Sequence, residues 1–163
     1  MGADTPEGVG VRVPLGNTKG TMKYVNHGSN ITNTEYDIAS AKMGNGWRMP
    51  TGDEFRELRD ECTWTVETIN GRKGYRVTGR NGNSIFLPCT GSNYQPENFK
   101  DLDIPDKGGT DPNREGNYWF GAPTDFDIVK EGLNHIMFDV SSGQRQFYWC
   151  EPYSLNAVRA VHD

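Results

Sequence analysis

Three groups of residues in this chain carry side chains able to do chemistry: Cys62, Cys89 and Cys150; His27, His135 and His162; and the run Asp101, Asp103, Asp106 and Asp111. The cysteines are too few and too scattered for a zinc knuckle or a redox pair, because either needs two thiolates within a few residues of each other. At most one disulfide and one free thiol can form, which leaves the pairing and the redox compartment open. A Cys150 and His162 dyad would supply a nucleophile and a base, but no third group stands at a readable spacing to orient the imidazole. Cys150 reads more simply as a small buried apolar residue or a disulfide partner. The aspartates are hard oxygen donors of the kind calcium accepts, which makes calcium the one possible cofactor. Pro105 and the lack of a following bidentate Glu spoil that match, and an acidic, solvated loop is the competing reading. "GRNGNS" has glycines but sits between strand-like runs rather than ahead of a helix, so it is no phosphate cradle. No catalytic residue is assigned.

The aromatic residues offer a different chemistry. Tyr118, Trp119, Phe147, Tyr148, Trp149 and Tyr153 crowd the C-terminal half, and rings with polar edges bind sugars and protein surfaces by stacking and hydrogen bonding. Alternation along a strand puts Tyr118 and Phe120 on one face and Trp119 on the other, and likewise sets Phe147 and Trp149 against Tyr148. One set of each must face a core.

At 163 residues the chain is long enough for one domain with a real core and too short for two. A net charge of -5 without a basic cluster argues against nucleic acid as a partner. No apolar run approaches the roughly 20 residues that span a bilayer, and "MGADTPEGVG" has no apolar export core. An aromatic content of 11% supplies anchors that a disordered chain lacks.

The elements that must position these residues follow from periodicity. Residues 1–35 alternate weakly between Gly and Asn punctuation and read as one or two peripheral strands ahead of a core at 36–163. "EYDIASAKMG" places Tyr36, Ala39 and Met43 on one face of a short helix closed by Gly44 and Gly46. In "WRMPTGDEF", Thr51 is a helix N-cap and Glu54 the third residue of a capping box. Phe55, Leu58 and Cys62 then form an apolar stripe, with Asp53, Glu54, Arg56, Glu57 and Arg59 facing outward. Trp47 and Met49 fasten the start of this helix to the sheet, and Arg48 bonds backbone carbonyls or a carboxylate. After Cys62 the period becomes two: "TWTVETI", an Asn70-Gly71 turn, "GYRVTG", a second Asn-Gly and "NSIFLP" read as a meander. Residues 91–117 form a polar, Pro- and Gly-rich span too long for a simple connection. Strand-like runs resume at "NYWFG", "HIMFDV", "RQFYW" and "NAVRAV", with Arg159 in the last as a structural charge.

"WRMPTGDEFREL", "CTW", "NGRKGYRVTGRNGNSIFLP", Gly91, "GNYWFG" and "NAVRAV" together resemble, in order, the Fibrobacter succinogenes major paralogous domain, over about Asp37 to Val161. The resemblance implies a C-type-lectin-like, formylglycine-generating-enzyme-like α+β fold in an exported surface protein or lipoprotein of a bacterium, with Trp119 in the core. The family's Trp-Gly stretch ahead of the first helix is not evident, and Phe120 stands where the family more often has Ser. The helix start also resembles the "RLPTEAEWE" segment of formylglycine-generating enzymes, whose copper-dependent thiol oxidation needs two cysteines five positions apart near the C-terminus. Here Cys150 is followed at that spacing by Leu155, so that site cannot be built, and a shared fold does not carry activity with it.

The sequence reading is therefore a single, monomeric, loop-rich α+β domain, residues 1–163, with two helices on twisted antiparallel strands. Its function is non-catalytic binding of a glycan or protein ligand at the outside of a bacterial cell, through Tyr94, Asn98, Phe99, Phe126, Tyr148 and Tyr153. The alternative is a structural module of a surface assembly or fimbria-like adhesin, which would show itself as an unpaired strand.

Overall fold

The computed structural model describes residues 30–92, 110–122, 133–150 and 156–163, together with two short strands, β1 (Val13–Pro14) and β2 (Met22–Lys23), that pair antiparallel with each other. The chain is α+β, with few helices and small, mostly antiparallel sheets.

Helix α1 (Ile38–Met43) starts from Asp37, whose carboxylate accepts the amides of Ala39 (2.9 Å) and Ser40 (3.1 Å). The same carboxylate, 0% exposed, also accepts the amides of Asn33 and Met49 at 3.0 Å, so a single buried acid ties a turn, a helix and the following strand together. Gly44, at φ +60°, caps the helix by donating its amide to the Ser40 carbonyl. Met43, expected on the apolar face, is 48% exposed. The helix stops at this residue, and the cluster it packs on is reached by Ala39 with Tyr36 and Ile38 instead.

Strand β3 (Trp47–Arg48) leads into helix α2 (Gly52–Glu61). The Thr51 hydroxyl accepts the Glu54 amide (3.1 Å) and the Glu54 carboxylate accepts the Thr51 amide (2.7 Å), so the capping box is closed. Arg48 braces it: the guanidinium donates to both Glu54 oxygens (2.8 Å each), to Asp163 (2.9 Å) and to the Met49 carbonyl (3.2 Å). Phe55 is buried, and Leu58 and Cys62 pack beside it. Cys62 and Cys89 are free thiols.

A meander of β4 (Thr63–Ile69), β5 (Arg72–Thr78) and β6 (Ser84–Pro88) follows. Its first turn uses Asn70 at φ +51° and Gly71 at φ +77°, the type I′ geometry that suits the twist of a hairpin. The second sheet is β7 (Glu115–Phe120), β8 (Leu133–Asp139) and β9 (Arg145–Cys150). β7 begins two residues before the expected "NYWFG" run, and β8 begins at Leu133, so His135 lies inside a strand. The expected last strand shrinks to β10 (Val161–His162), antiparallel to β3, while Ala157 makes an isolated parallel bridge to Tyr118.

The two three-stranded sheets pack face to face. Phe55, Tyr75, Val77, Leu87, Cys89, Tyr118, Phe120, Ile136, Phe138 and Val140 form the main core, and Ile31, Ala39, Met49 and Trp119 form a second one behind β7. Both faces of β7 are thus buried: Tyr118 and Phe120 enter one cluster and Trp119 the other. The core also starts earlier than the expected boundary at residue 36, since Ile31 is buried and donates its amide to Gly121 (2.7 Å).

Candidate functional site

Register brings Trp119, His135 and Tyr148 side by side across β7, β8 and β9. The His135 ring meets Trp119 edge-on at 5.8 Å and stacks on Tyr148 at 6.0 Å with a 30° tilt. His135 is 4% exposed and its Nδ1 has no hydrogen-bond partner. Burial pushes its pKa down to about 4, against a smaller opposing effect from a hydrogen bond with the Tyr148 backbone. It is a neutral core imidazole, and among the described residues no carboxylate bonds to it. Tyr148, in contrast, is 37% exposed. Its hydroxyl accepts from Gln144 Nε2 (3.2 Å) and donates to Gln146 Oε1, so the ring is held between a buried imidazole and two solvent-facing amides.

A second feature lies at the other end of β7. The Thr110 amide donates to the Ser92 carbonyl (2.9 Å), their hydroxyls meet at 3.2 Å, and buried Asn117 donates from Nδ2 to the Thr110 hydroxyl (3.1 Å). Gly91, at φ +61°, donates to the Glu115 carbonyl and approaches so closely that a Cβ there would stand 2.6 Å from the Thr110 carbonyl oxygen. The two described residues that flank the 93–109 segment are therefore clasped together by backbone and side-chain bonds.

A third feature is a groove of about 390 Å³ between α2 and the returning chain end, with Trp47, Leu58, Ile85, Arg159 and His162 among its walls. Trp47, expected as a staple, contributes its partly buried ring here, edge-on to His162 at 5.1 Å. Arg159 is exposed and makes no ion pair or hydrogen bond among the described residues, so the structural partner expected for it is not found there.

Two acids are engaged in structure. Burial opposes ionisation of Asp139, but the amides of Ser141 and Ser142 and the Arg114 guanidinium (2.8 Å) outweigh it and hold the carboxyl below its ordinary value. The Arg48 guanidinium, helped by the Thr51 amide and against a desolvation cost, does the same for Glu54.

Of the residues singled out from sequence, Tyr94, Asn98, Phe99, Phe126 and Tyr153, and Asp101, Asp103 and Asp106, lie outside the described residues. Asp111 is exposed and spends one carboxylate oxygen on the Asn113 amide (2.8 Å), as a turn cap does. Among the described residues no three His, Cys, Asp or Glu side chains gather as metal ligands. His162 packs on Trp47 and contacts the Asp163 carbonyl, while the Cys150 side chain, the other half of the dyad weighed from sequence, lies outside what is described. Sequence reasoning missed Asp37, although an aspartate two residues before a helical alanine is an N-cap signal. It also missed the Ser92, Thr110 and Asn117 clasp and the Gln144 and Gln146 cradle, whose partners no local pattern announces.

No protein-family model, no curated protein and no solved structure matches this chain.

Proposed function

We propose that this chain is a non-catalytic binding domain displayed at the outside of a bacterial cell, with a glycan as the ligand class its surface fits best. The observation that carries the reading is Tyr148: an exposed ring backed by His135 and Trp119, its hydroxyl engaged by Gln144 and Gln146. Sugars stack their apolar faces on such a ring while side-chain amides bond the hydroxyls around it. A ring held in place before the ligand arrives loses little rotamer freedom on binding. The C-type-lectin-like assignment of the α+β frame belongs to the same proposal, on the strength of the motifs between Trp47 and Pro88.

The test is a glycan array run with and without chelator, followed by titration of any hit against Tyr148→Ala. The ring is 37% exposed, so the variant keeps its unfolding free energy within about 1 kcal/mol of wild type in urea and loses binding at least tenfold. Unchanged affinity in the variant refutes Tyr148 as the contact, and a blank array refutes the glycan. Loss of binding in chelator would return weight to the aspartates of the 101–111 span.

A further inference from the structure

Sheet edges carry unpaired backbone donors and acceptors, and folded chains usually blunt them with proline, lysine, a bulge or a covering segment. Two edges here are blunted. On β6 the Cys89 amide bonds the Lys73 carbonyl, so by alternation Ser84, Phe86 and Pro88 face away from β5. Pro88 has no amide to offer, and its carbonyl is taken by the Tyr118 hydroxyl at 2.7 Å. The outer edge of β7 is covered by the returning chain, with Trp119 donating to Ala157 and Ala157 donating to Asn117, both at 2.9 Å.

Among the described residues β4 has no such protection. Ile69 and Arg72 close the type I′ turn as a hydrogen-bonded pair, so Trp64, Val66 and Thr68 turn their amides and carbonyls outward. Among the described residues no backbone bond reaches them. The strand is seven residues long, reads "TWTVETI" without proline or lysine, and leaves Thr65, Val66 and Thr68 exposed, Val66 at 44%.

We propose that β4 pairs antiparallel with β4 of a second copy of this chain, about a two-fold axis through Val66, joining the two meanders into one sheet. This replaces the monomer expected from the sequence, gives the assembly reading a specific surface, and does not depend on the glycan reading. The choice of a second copy over a foreign strand rests on self-complementarity. In this register Val66 faces Val66, Trp64 faces Thr68, and every outward amide of the three residues finds a carbonyl. Thr65 falls opposite Glu67, so no like charges stand directly opposed, and Glu67 is already paired with Arg76 of its own chain at 2.6 Å. An isologous contact of this kind closes as a dimer rather than growing into a fibre.

Sedimentation velocity over a wide concentration series reads the association. Wild type is expected to approach twice the monomer mass at the high end, while Val66→Lys, which sets two ammonium groups against each other at an exposed position, stays at monomer mass with an unchanged urea midpoint. Register is read by Val66→Cys. Directly opposed residues of a hydrogen-bonded pair have Cα atoms about 5.5 Å apart, within disulfide reach, so mild oxidation cross-links this variant above the background given by the native thiols of wild type, and Thr65→Cys does not cross-link. Wild type that remains monomeric throughout, Val66→Lys that associates as wild type does, or equal cross-linking of the two cysteine variants overturns the proposal.

Discussion

Acidification should weaken this fold well before its carboxylates protonate, because of His135. The imidazole is buried with its Nδ1 unpartnered, and the rings in contact with it, Trp119 and Tyr148, bring no charge to stabilise a proton. Its pKa falls from 6.5 in the unfolded chain to about 4 in the folded one. Between those values the unfolded state binds the extra proton, so stability is at its full value above pH 6.5 and declines as pH falls toward 4. Integrating the linkage gives a loss of about 2 kcal/mol between pH 7 and pH 5, and roughly 3 kcal/mol in the limit below both pKa values. Against a typical total of about 5–15 kcal/mol, that is a large fraction. Urea unfolding at half-unit pH steps from 7.5 to 4.5, on wild type and His135→Phe, reads the effect. The phenyl ring keeps both ring contacts and cannot titrate, so the variant's stability should stay flat from pH 7 to 5 while wild type's declines. Glu54 and Asp139, whose pKa values are held low in the fold, contribute stability that is lost only as pH falls through the carboxylate range, below this window. A wild-type curve that is flat from pH 7 to 5, or a His135→Phe curve with the same slope as wild type, refutes the reasoning.

Three substitutions test the frame. Thr51→Ala removes the hydroxyl that accepts the Glu54 amide and should cost about 1 kcal/mol in urea unfolding, with α2 fraying first in amide exchange. Gly116→Ala places a Cβ 2.1 Å from Phe138 Cζ inside the main core and should cost about 2 kcal/mol or more, while Gly143→Ala, with open space at its Cβ but φ +75°, should show only the smaller penalty of a left-handed alanine.

What the sequence disclosed was what short-range rules encode. The capping box needs only Thr51 and Glu54 at the right spacing, and the meander needs only period two and an Asn-Gly turn, so both were legible. Tyr148 could be nominated as an aromatic in a strand, but alternation says which residues share a face and not which face is wet. For β7 the premise itself gave way, because a strand between two clusters has no solvent face, and Tyr118, Trp119 and Phe120 are all core. Asp37 shows the complementary limit. Its capping amides are local, but the Met49 amide that makes it a hub is twelve residues away and is delivered by tertiary packing. Met43 failed for the opposite reason: helical period was extended over a helix that ends before its second turn is complete, so the last apolar residue has no cluster beneath it.

The burial of β7 on both faces also sets how the two proposed surfaces relate. The meander packs on one face of the second sheet, through Tyr75 and Trp64 against Phe138, and Tyr148 projects from the opposite face, beside His135. The open edge of β4 belongs to the meander, and the described residues that flank 93–109, 123–132 and 151–155 all belong to or adjoin the second sheet. Pairing through Val66 therefore consumes an edge that contributes nothing to the Tyr148 face. A dimer built this way would present two such faces, and a surface decorated with repeated sugars would hold it more tightly than either face alone, because the second contact is made at the high effective concentration set by the first. If both proposals hold, the self-complementary edge would add residence time on a repetitive surface without drawing on any residue of the Tyr148 face.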